Sequence, residues 1–162
     1  MTARPIEFIT VSAAGTDVDT VRDLFLEYGE SLGFNTCFVG LDQELVTRPG
    51  DYGPPRGCLL LAKEGGYAAG CVGVRPLDES RCEMKRLFVR PRYRRAGLGR
   101  RLAETAIARA RAMGYRRIFL DTLRTMPEAR VLYASLGFRG CAPYYDNSRL
   151  GSDCFVLDLL PD

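Results

Sequence analysis

Histidine is absent from the 162-residue sequence. That absence removes Ser-His-Asp and Cys-His nucleophilic machinery, together with the imidazole that most zinc and non-haem iron sites use. Any acid or base must be Glu, Asp, Tyr, Lys or Cys. No run of about 20 apolar residues is available to span a bilayer, and the opening MTARPIEFIT lacks the basic-then-apolar layout of a secretory signal. The expectation is a soluble cytoplasmic protein without a membrane partner. Repeats, low-complexity tracts and long linkers are missing too, so residues 1–162 are read as one domain. The cysteines Cys37, Cys58, Cys71, Cys82, Cys141 and Cys154 form no C-x-x-C pair; they read as buried reduced thiols, with no metal site expected.

What is present is unevenly distributed. The net charge of +3 conceals a basic block: between Lys85 and Arg117, twelve Lys or Arg stand against one acid, Glu104, while the remainder carries eleven against nineteen. A concentrated positive field suits a polyanionic partner, a phosphorylated small molecule or a nucleic acid; a solvated arginine-rich helix face has the same signature.

Hydrophobic periodicity supplies the elements. IEFITVS (6–12) alternates as a strand, and Val18, Val21, Leu24, Phe25, Tyr28 and Leu32 follow helical spacing after a Thr16/Asp19 start signal. A short helix is expected over 41–46, and 48–57 is dense in turn residues. GCLLLAKE and YAAGCVGVRPL, joined around Gly65 and Gly66, read as a hairpin, followed by a strand, CEMKRLFV, ended by Pro91. Leu98, Leu102, Ala106, Ala110 and Met113 share one helical face up to a capping Gly114. RRIFLDT is a buried strand. Thr125 and Glu128 suggest a capping box for a helix carrying Ala129, Leu132, Tyr133 and Leu136 to Gly137, and CFVLDLL closes the chain as a strand. This order implies a layered α/β or α+β sandwich on a mixed sheet.

The run Arg94-Arg95-Ala96-Gly97-Leu98-Gly99 lies where the basic block meets a helix start. It has neither the G-x-x-x-x-G-K-[ST] of a P-loop nor a G-x-G-x-x-G directly after a strand. What remains is a strand, a basic loop and G-x-G opening a helix. First-turn amides lack intrahelical acceptors, the dipole places partial positive charge there, and glycine lets a diphosphate approach the backbone.

That segment resembles the R/Q-x-x-G-x-G/A signature of the GCN5-related N-acetyltransferase (GNAT) superfamily, preceded by the strand MKRLFV and followed by a second signature, ARVLYASLGF (129–138). The resemblance implies a mixed, mostly antiparallel twisted sheet of about seven strands flanked by about four helices, with a splayed parallel strand pair forming a coenzyme A cleft. It implies acetyl-CoA as the donor and direct transfer, in a ternary complex, to the primary amine of a small molecule or peptide. Pyrophosphate would rest on the amides from Arg95, Ala96 and Gly97 through Leu98 and Gly99 to Arg100, with Arg94, Arg95 and Arg100 supplying charge. Leu87, Phe88 and Val89 would bind the pantetheine arm, the Leu87 amide polarising the acetyl carbonyl.

By the same resemblance Tyr133 would protonate the departing thiolate and contact the cofactor; its periodicity alone favours a core tyrosine, and the Leu-Tyr-x-x-x-Gly-Phe context reverses that. Glu83 is a candidate general base, although a strand glutamate beside Lys85 and Arg86 is as readily a salt-bridge partner. Met126 stands where the family often has asparagine. The acceptor would meet Phe34, Asn35, Glu83, Asp121, Thr122, Tyr144 and Tyr145, and the carboxylates among them would favour a cationic amine. A homodimer is compatible with the resemblance. Two other readings stay open: a non-catalytic acyl-CoA-binding domain, and a nucleic-acid module on 85–117, against which stands the lack of an RNA-recognition aromatic pattern or zinc-finger spacing.

Overall fold

A computed structural model describes residues 4–12, 15–31, 50–124, 126–144 and 152–159. Strand β1 (Ile6–Thr10) leads to helix α1 (Thr16–Ser31). Strands β2 (Cys58–Glu64), β3 (Tyr67–Pro76) and β4 (Arg81–Val89) follow, then α2 (Leu98–Ala112), β5 (Arg117–Leu123), α3 (Pro127–Ser135), β6 (Arg139–Cys141) and β7 (Ser152–Asp158). The strands form one seven-stranded sheet in the order β1-β2-β3-β4-β5-β7-β6. Every neighbouring pair is antiparallel except β4 and β5. The expected helix at 41–46 lies outside the described residues. Among the described residues, no helix is long and apolar enough to cross a membrane.

Alternation along the strands divides the core in two. Leu60, Ala62, Val72, Val74, Cys82, Met84, Ile118 and Leu120 face the side covered by α2 and α3. Leu59, Leu61, Cys71 and Phe88 face α1 and Tyr52. Helix α2 seats itself with Leu98, Leu102, Ala103, Ala106, Ile107 and Ala110, all buried, while Arg100, Arg101, Glu104, Arg109 and Arg111 are exposed. Its alanines allow a close approach to the sheet at almost no side-chain entropy cost. Each fully buried leucine such as Leu60 or Leu102 contributes about 1.5–3 kcal/mol relative to exposure.

The capping glycines behave as their positions imply. Gly114 (φ +89°) and Gly137 (φ +99°) are left-handed, a conformation that costs a side chain 1–2 kcal/mol or so. Each closes a Schellman motif: Tyr115 N–H reaches Ala110 C=O at 3.2 Å, and Phe138 N–H reaches Tyr133 C=O at 3.1 Å. The second motif brings the Phe138 and Tyr133 rings edge to face at 5.8 Å. Helix α3 departs from the expected capping box: its N-cap is Met126, which makes no side-chain cap bond, with Pro127 in the first turn. Thr125 lies outside the described residues. Proline's preset φ starts this helix without a polar cap.

Gly70 marks where β3 and β4 press closest. A Cβ there would lie 2.6 Å from the Phe88 carbonyl oxygen and 3.2 Å from Leu102 Cδ1, and a backbone clash has no rotamer escape. Gly70→Ala is expected to lose about 1–3 kcal/mol in urea unfolding at an unchanged m value.

Candidate functional site

The site begins where the sheet comes apart. β4 and β5 pair in parallel only through Arg81↔Arg117, Cys82↔Ile118 and Glu83↔Phe119. Beyond that register β5 continues against β7 to Leu123, while β4 continues against β3 to Val89. Part of the reason is a bulge: between the pairs Gly73↔Lys85 and Cys71↔Phe88, three steps on β4 oppose two on β3. Arg86 occupies it at φ +60°, a left-handed setting rare for a non-glycine residue and typical of a bulge that re-aims a strand.

The bulge decides which main-chain groups face the gap. Arg90 N–H donates to Ala69 C=O at 2.8 Å, so alternation along the ladder gives the polar groups of Phe88 to β3 and those of Leu87 and Val89 to the side that β5 has left. The Val89 carbonyl accepts from Arg94 Nε at 2.8 Å. Phe88 contributes its ring instead, edge-on to Tyr28 of α1 at 5.8 Å. A cleft of about 410 Å³ runs along this edge, lined by residues 87–89 of β4, Arg94, Tyr28 and Ser31 of α1, and residues 126–129 at the start of α3.

At the mouth of the cleft, Gly97 (φ +78°) is the left-handed N-cap of α2. The helical ladder starts with Arg101 N–H to Gly97 C=O at 3.1 Å, which sets the amides of Leu98, Gly99 and Arg100 ahead of any intrahelical acceptor. A Cβ at Gly97 would meet nothing within 4 Å, and one at Gly99 would meet only Val89 Cγ2 at 3.8 Å. Space therefore lies open over the helix start, among the exposed Arg94, Arg95, Ala96 and Arg100. Arg95 is itself left-handed (φ +67°), and Arg100 donates to Ser135 Oγ of α3 at 2.5 Å. These backbone donors and guanidinium groups make a charge-assisted cradle for a phosphorylated group.

Tyr133 projects from α3 into the apolar side of the sheet and is 7% exposed. Burial pushes its phenol pKa well above the usual value, helped by Tyr28 and Asp121. Tyr28 is raised in the same way, burial first, with Arg86 opposing and Asp121 adding. Tyr133 from one side of the sheet and Tyr28 and Asp121 from the other thus share an electrostatic environment, and both phenols keep their protons far above neutral pH.

The α1 side of the gap is polar. Glu83 is completely buried: Arg75 Nε donates to its Oε1 at 2.6 Å and Tyr144 Oη to its Oε2 at 2.8 Å. The Tyr144 ring lies 5.1 Å from Phe119. The sheet register extends the arrangement, with Asp121 on β5 beside Cys154 on β7 and Cys141 on β6. Lys85 is half-buried, and burial pushes its pKa down against the pull of Glu83. Helix α1 is tied to the end of β4 by Glu27, whose two oxygens accept from Arg90 Nε at 3.0 Å and Nη2 at 2.5 Å.

Of the acceptor residues expected from sequence, Glu83, Asp121 and Tyr144 share one face of the sheet. Thr122 does not: it is one residue from Asp121 on the same strand, so it points to the opposite, α2-covered side and is buried. Phe34, Asn35 and Tyr145 lie outside the described residues. Arg75 and Tyr28 belong to the site although nothing in their sequence context sets them apart, Tyr28 reading as one more position of the α1 apolar stripe. The Arg75 signal is indirect. Asp78 Oδ1 accepts from Ser80 N–H at 2.9 Å and Arg81 N–H at 2.8 Å, fixing a turn whose register places Arg75 opposite Glu83.

Comparison with known proteins agrees with this geometry. Residues 20–138 match the family model described as Acetyltransferase (GNAT) family. The chain is 42% identical over 133 residues, 81% of its length and 82% of the relative's, to an uncharacterised N-acetyltransferase of Schizosaccharomyces pombe. An acetyltransferase structure from Streptococcus agalactiae 2603 superposes with a TM-score of 0.81 at 21% identity, covering 95% of this chain and 98% of that one. A Salmonella typhimurium structure solved with its cofactor acetyl-CoA gives 0.71 at 18% identity, over 97% and 95%.

The bulge geometry can be tested apart from charge. Arg86→Ala and Arg86→Gly both delete the side chain, but only glycine is relaxed at φ +60°. The glycine variant is expected to be more stable than the alanine one by about 1 kcal/mol in chemical denaturation.

Proposed function

The chain belongs to the acetyltransferase (GNAT) family, and from that premise we propose that it is an acetyl-CoA-dependent N-acetyltransferase acting on the primary amine of a small molecule or peptide, by direct transfer in a ternary complex. The observation that carries this reading is the junction of two features: a strand pair that parts after Glu83↔Phe119 and a left-handed Gly97 that opens α2 next to Val89, a residue lining the cleft along β4. Acetyl-CoA, when bound, supplies an activated thioester and a diphosphate handle. The open space over Gly97 and Gly99 and the amides of Leu98, Gly99 and Arg100 suit the diphosphate, with Arg95 and Arg100 adding charge. The Leu87 and Val89 main chain supplies strand-like bonds to an extended arm. Arg94 leaves the Val89 carbonyl when that bond forms.

On this reading the Leu87 N–H stabilises the negative charge that develops on the carbonyl oxygen during transfer. Tyr133 holds a proton at Oη for the departing sulfur; its raised pKa keeps the phenol protonated across the neutral range. Glu83 has no exposed surface and both of its oxygens accept hydrogen bonds. The amine's proton therefore passes to Tyr144 Oη as the Tyr144 proton moves to Glu83 Oε2, and Arg75 steadies the carboxylate. The nucleophile must be neutral, so the rate should climb with pH until the amine is deprotonated.

Calorimetry with acetyl-CoA tests the cradle. A Cβ at Gly99 makes only ordinary contact, with Val89 Cγ2 at 3.8 Å, and position 99 is at the open helix start, so Gly99→Leu should keep the wild-type unfolding midpoint while weakening acetyl-CoA binding at least about tenfold; equal affinity for both proteins would overturn the reading. Coenzyme A release with a panel of amino acids, polyamines and peptide N-termini then tests turnover. Binding without release from any amine would mark a non-catalytic acyl-CoA-binding domain. With the best acceptor, Glu83→Gln and Tyr144→Phe should each lower kcat roughly 10²–10³-fold with little change in KM for acetyl-CoA. The double variant should be no slower than the worse single one, because the two groups act in series.

A further inference from the structure

Cysteine placement in the sheet follows a pattern that the acetyl-transfer reading does not use. Cys58 on β2 lies opposite Val74, Cys71 on β3 lies between Leu61 and Phe88, and Cys82 on β4 lies between Pro76 and Ile118. Among the described residues, none of these three has another cysteine as its strand partner. Cys141 on β6 lies directly opposite Cys154 on β7, and neither is in a disulfide. Directly paired residues of an antiparallel ladder project their side chains to the same face. Their Cα atoms lie about 4.5–5.5 Å apart, inside the roughly 4.4–6.8 Å that a disulfide spans.

Access differs between the two. β6 is the outermost strand at one edge of the sheet, and Cys141 on it is half-exposed, whereas Cys154 on the inner neighbour is buried. Arg139, two residues along on the same face, places a guanidinium group near Cys141. Burial and the second thiol raise the Cys141 pKa, and Arg139 opposes them. The other buried thiols are less available: burial raises Cys82 to about 12 and Cys71 further still. A half-exposed thiol with a second thiol opposite it in the strand register has the layout of an attacking and a resolving pair.

We infer that Cys141 and Cys154 are a dithiol modification site, closed to an intramolecular cross-strand disulfide by a low-molecular-weight disulfide such as glutathione disulfide. The Cys141 thiolate attacks one sulfur of the reagent, whose S–S bond breaks to release one glutathione thiolate and leave a mixed disulfide on Cys141. The Cys154 thiolate then attacks Cys141 Sγ and expels the second glutathione thiolate. The cysteines' two protons end on the two glutathione thiols; the protein is oxidised by two electrons and the reagent reduced by two. The bond would fasten β6 to β7 three residues before Tyr144, whose hydroxyl bonds Glu83.

The test is peptide mapping of the full chain after incubation with glutathione disulfide under native conditions, with free thiols then alkylated. The expected product is a peptide joined through Cys141 and Cys154, lighter by two hydrogens and reversed by dithiothreitol, with Cys58, Cys71 and Cys82 alkylated. Cys154→Ser should stop at a stable mixed disulfide on Cys141. Cys141→Ser, altered at the sheet edge and so the milder change to the fold, should leave Cys154 alkylatable only after denaturation. Wild-type protein that stops at the mixed disulfide, joins either residue to Cys37, or keeps both thiols across the cellular range of glutathione potentials would overturn the inference. No acceptor amine or acetyl-CoA is needed, so its failure leaves the proposed activity untouched.

Discussion

Past Glu83 and Phe119 the parallel strands stop exchanging hydrogen bonds, and much of the remaining structure answers that interruption. A buried backbone N–H or C=O left without a partner costs about 1–3 kcal/mol, so a split sheet persists only where something else meets those groups. Here the bulge at Arg86 rotates β4 so that Leu87 and Val89 direct their main-chain groups into the opening. The Arg94 guanidinium meets one of them at Val89. An extended ligand that replaces the missing strand could meet the rest, which is why the cleft reads as a place for an arm of alternating amides.

The two faces of the split are chemically unlike. On the α2 and α3 side, Leu87 and Val89 pack against the apolar cluster that holds Tyr133, next to a helix start whose leading amides and arginines favour negative charge. On the α1 side, Arg75, Glu83 and Tyr144 form a hydrogen-bonded chain near Asp121 and Lys85. One face is thus apolar and bordered by anion-binding groups, the other polar and hydrogen-bonded. The Glu27–Arg90 pair holds α1 over the boundary, and with it Tyr28, which meets the Phe88 ring.

Much of this is legible in the sequence. The pattern places a helix opening at Gly97 and two caps at Gly114 and Gly137, and all three are left-handed, because a tight helix boundary leaves a side chain little choice. The LGF ending of α3 has a physical purpose as well: the Schellman motif at Gly137 sets Phe138 against Tyr133. Illegible were the strained non-glycine residues, Arg86 and Arg95, since nothing in their side chains asks for positive φ. The polar cap expected at Thr125 and Glu128 gave way to Met126 before Pro127, where proline's own geometry suffices. Thr122, expected with Asp121 among the acceptor residues, lies on the opposite face of the sheet, because one step along a strand reverses the side.

What the amino-acid sequence determined by itself was local: the order of helices and strands, the glycine-arginine loop at the start of α2, and the exclusion of imidazole chemistry. Periodicity, steric limits on φ and residue inventory act within a few residues, so they can be read along the chain. Tertiary structure alone decided that Arg75, Glu83 and Tyr144 meet, that Tyr28 and Asp121 share the electrostatic environment of Tyr133, and that Cys141 faces Cys154. Each of those depends on the register between strands distant in sequence and on where one pair lets go, and registry is a property of the assembled sheet rather than of any segment in it.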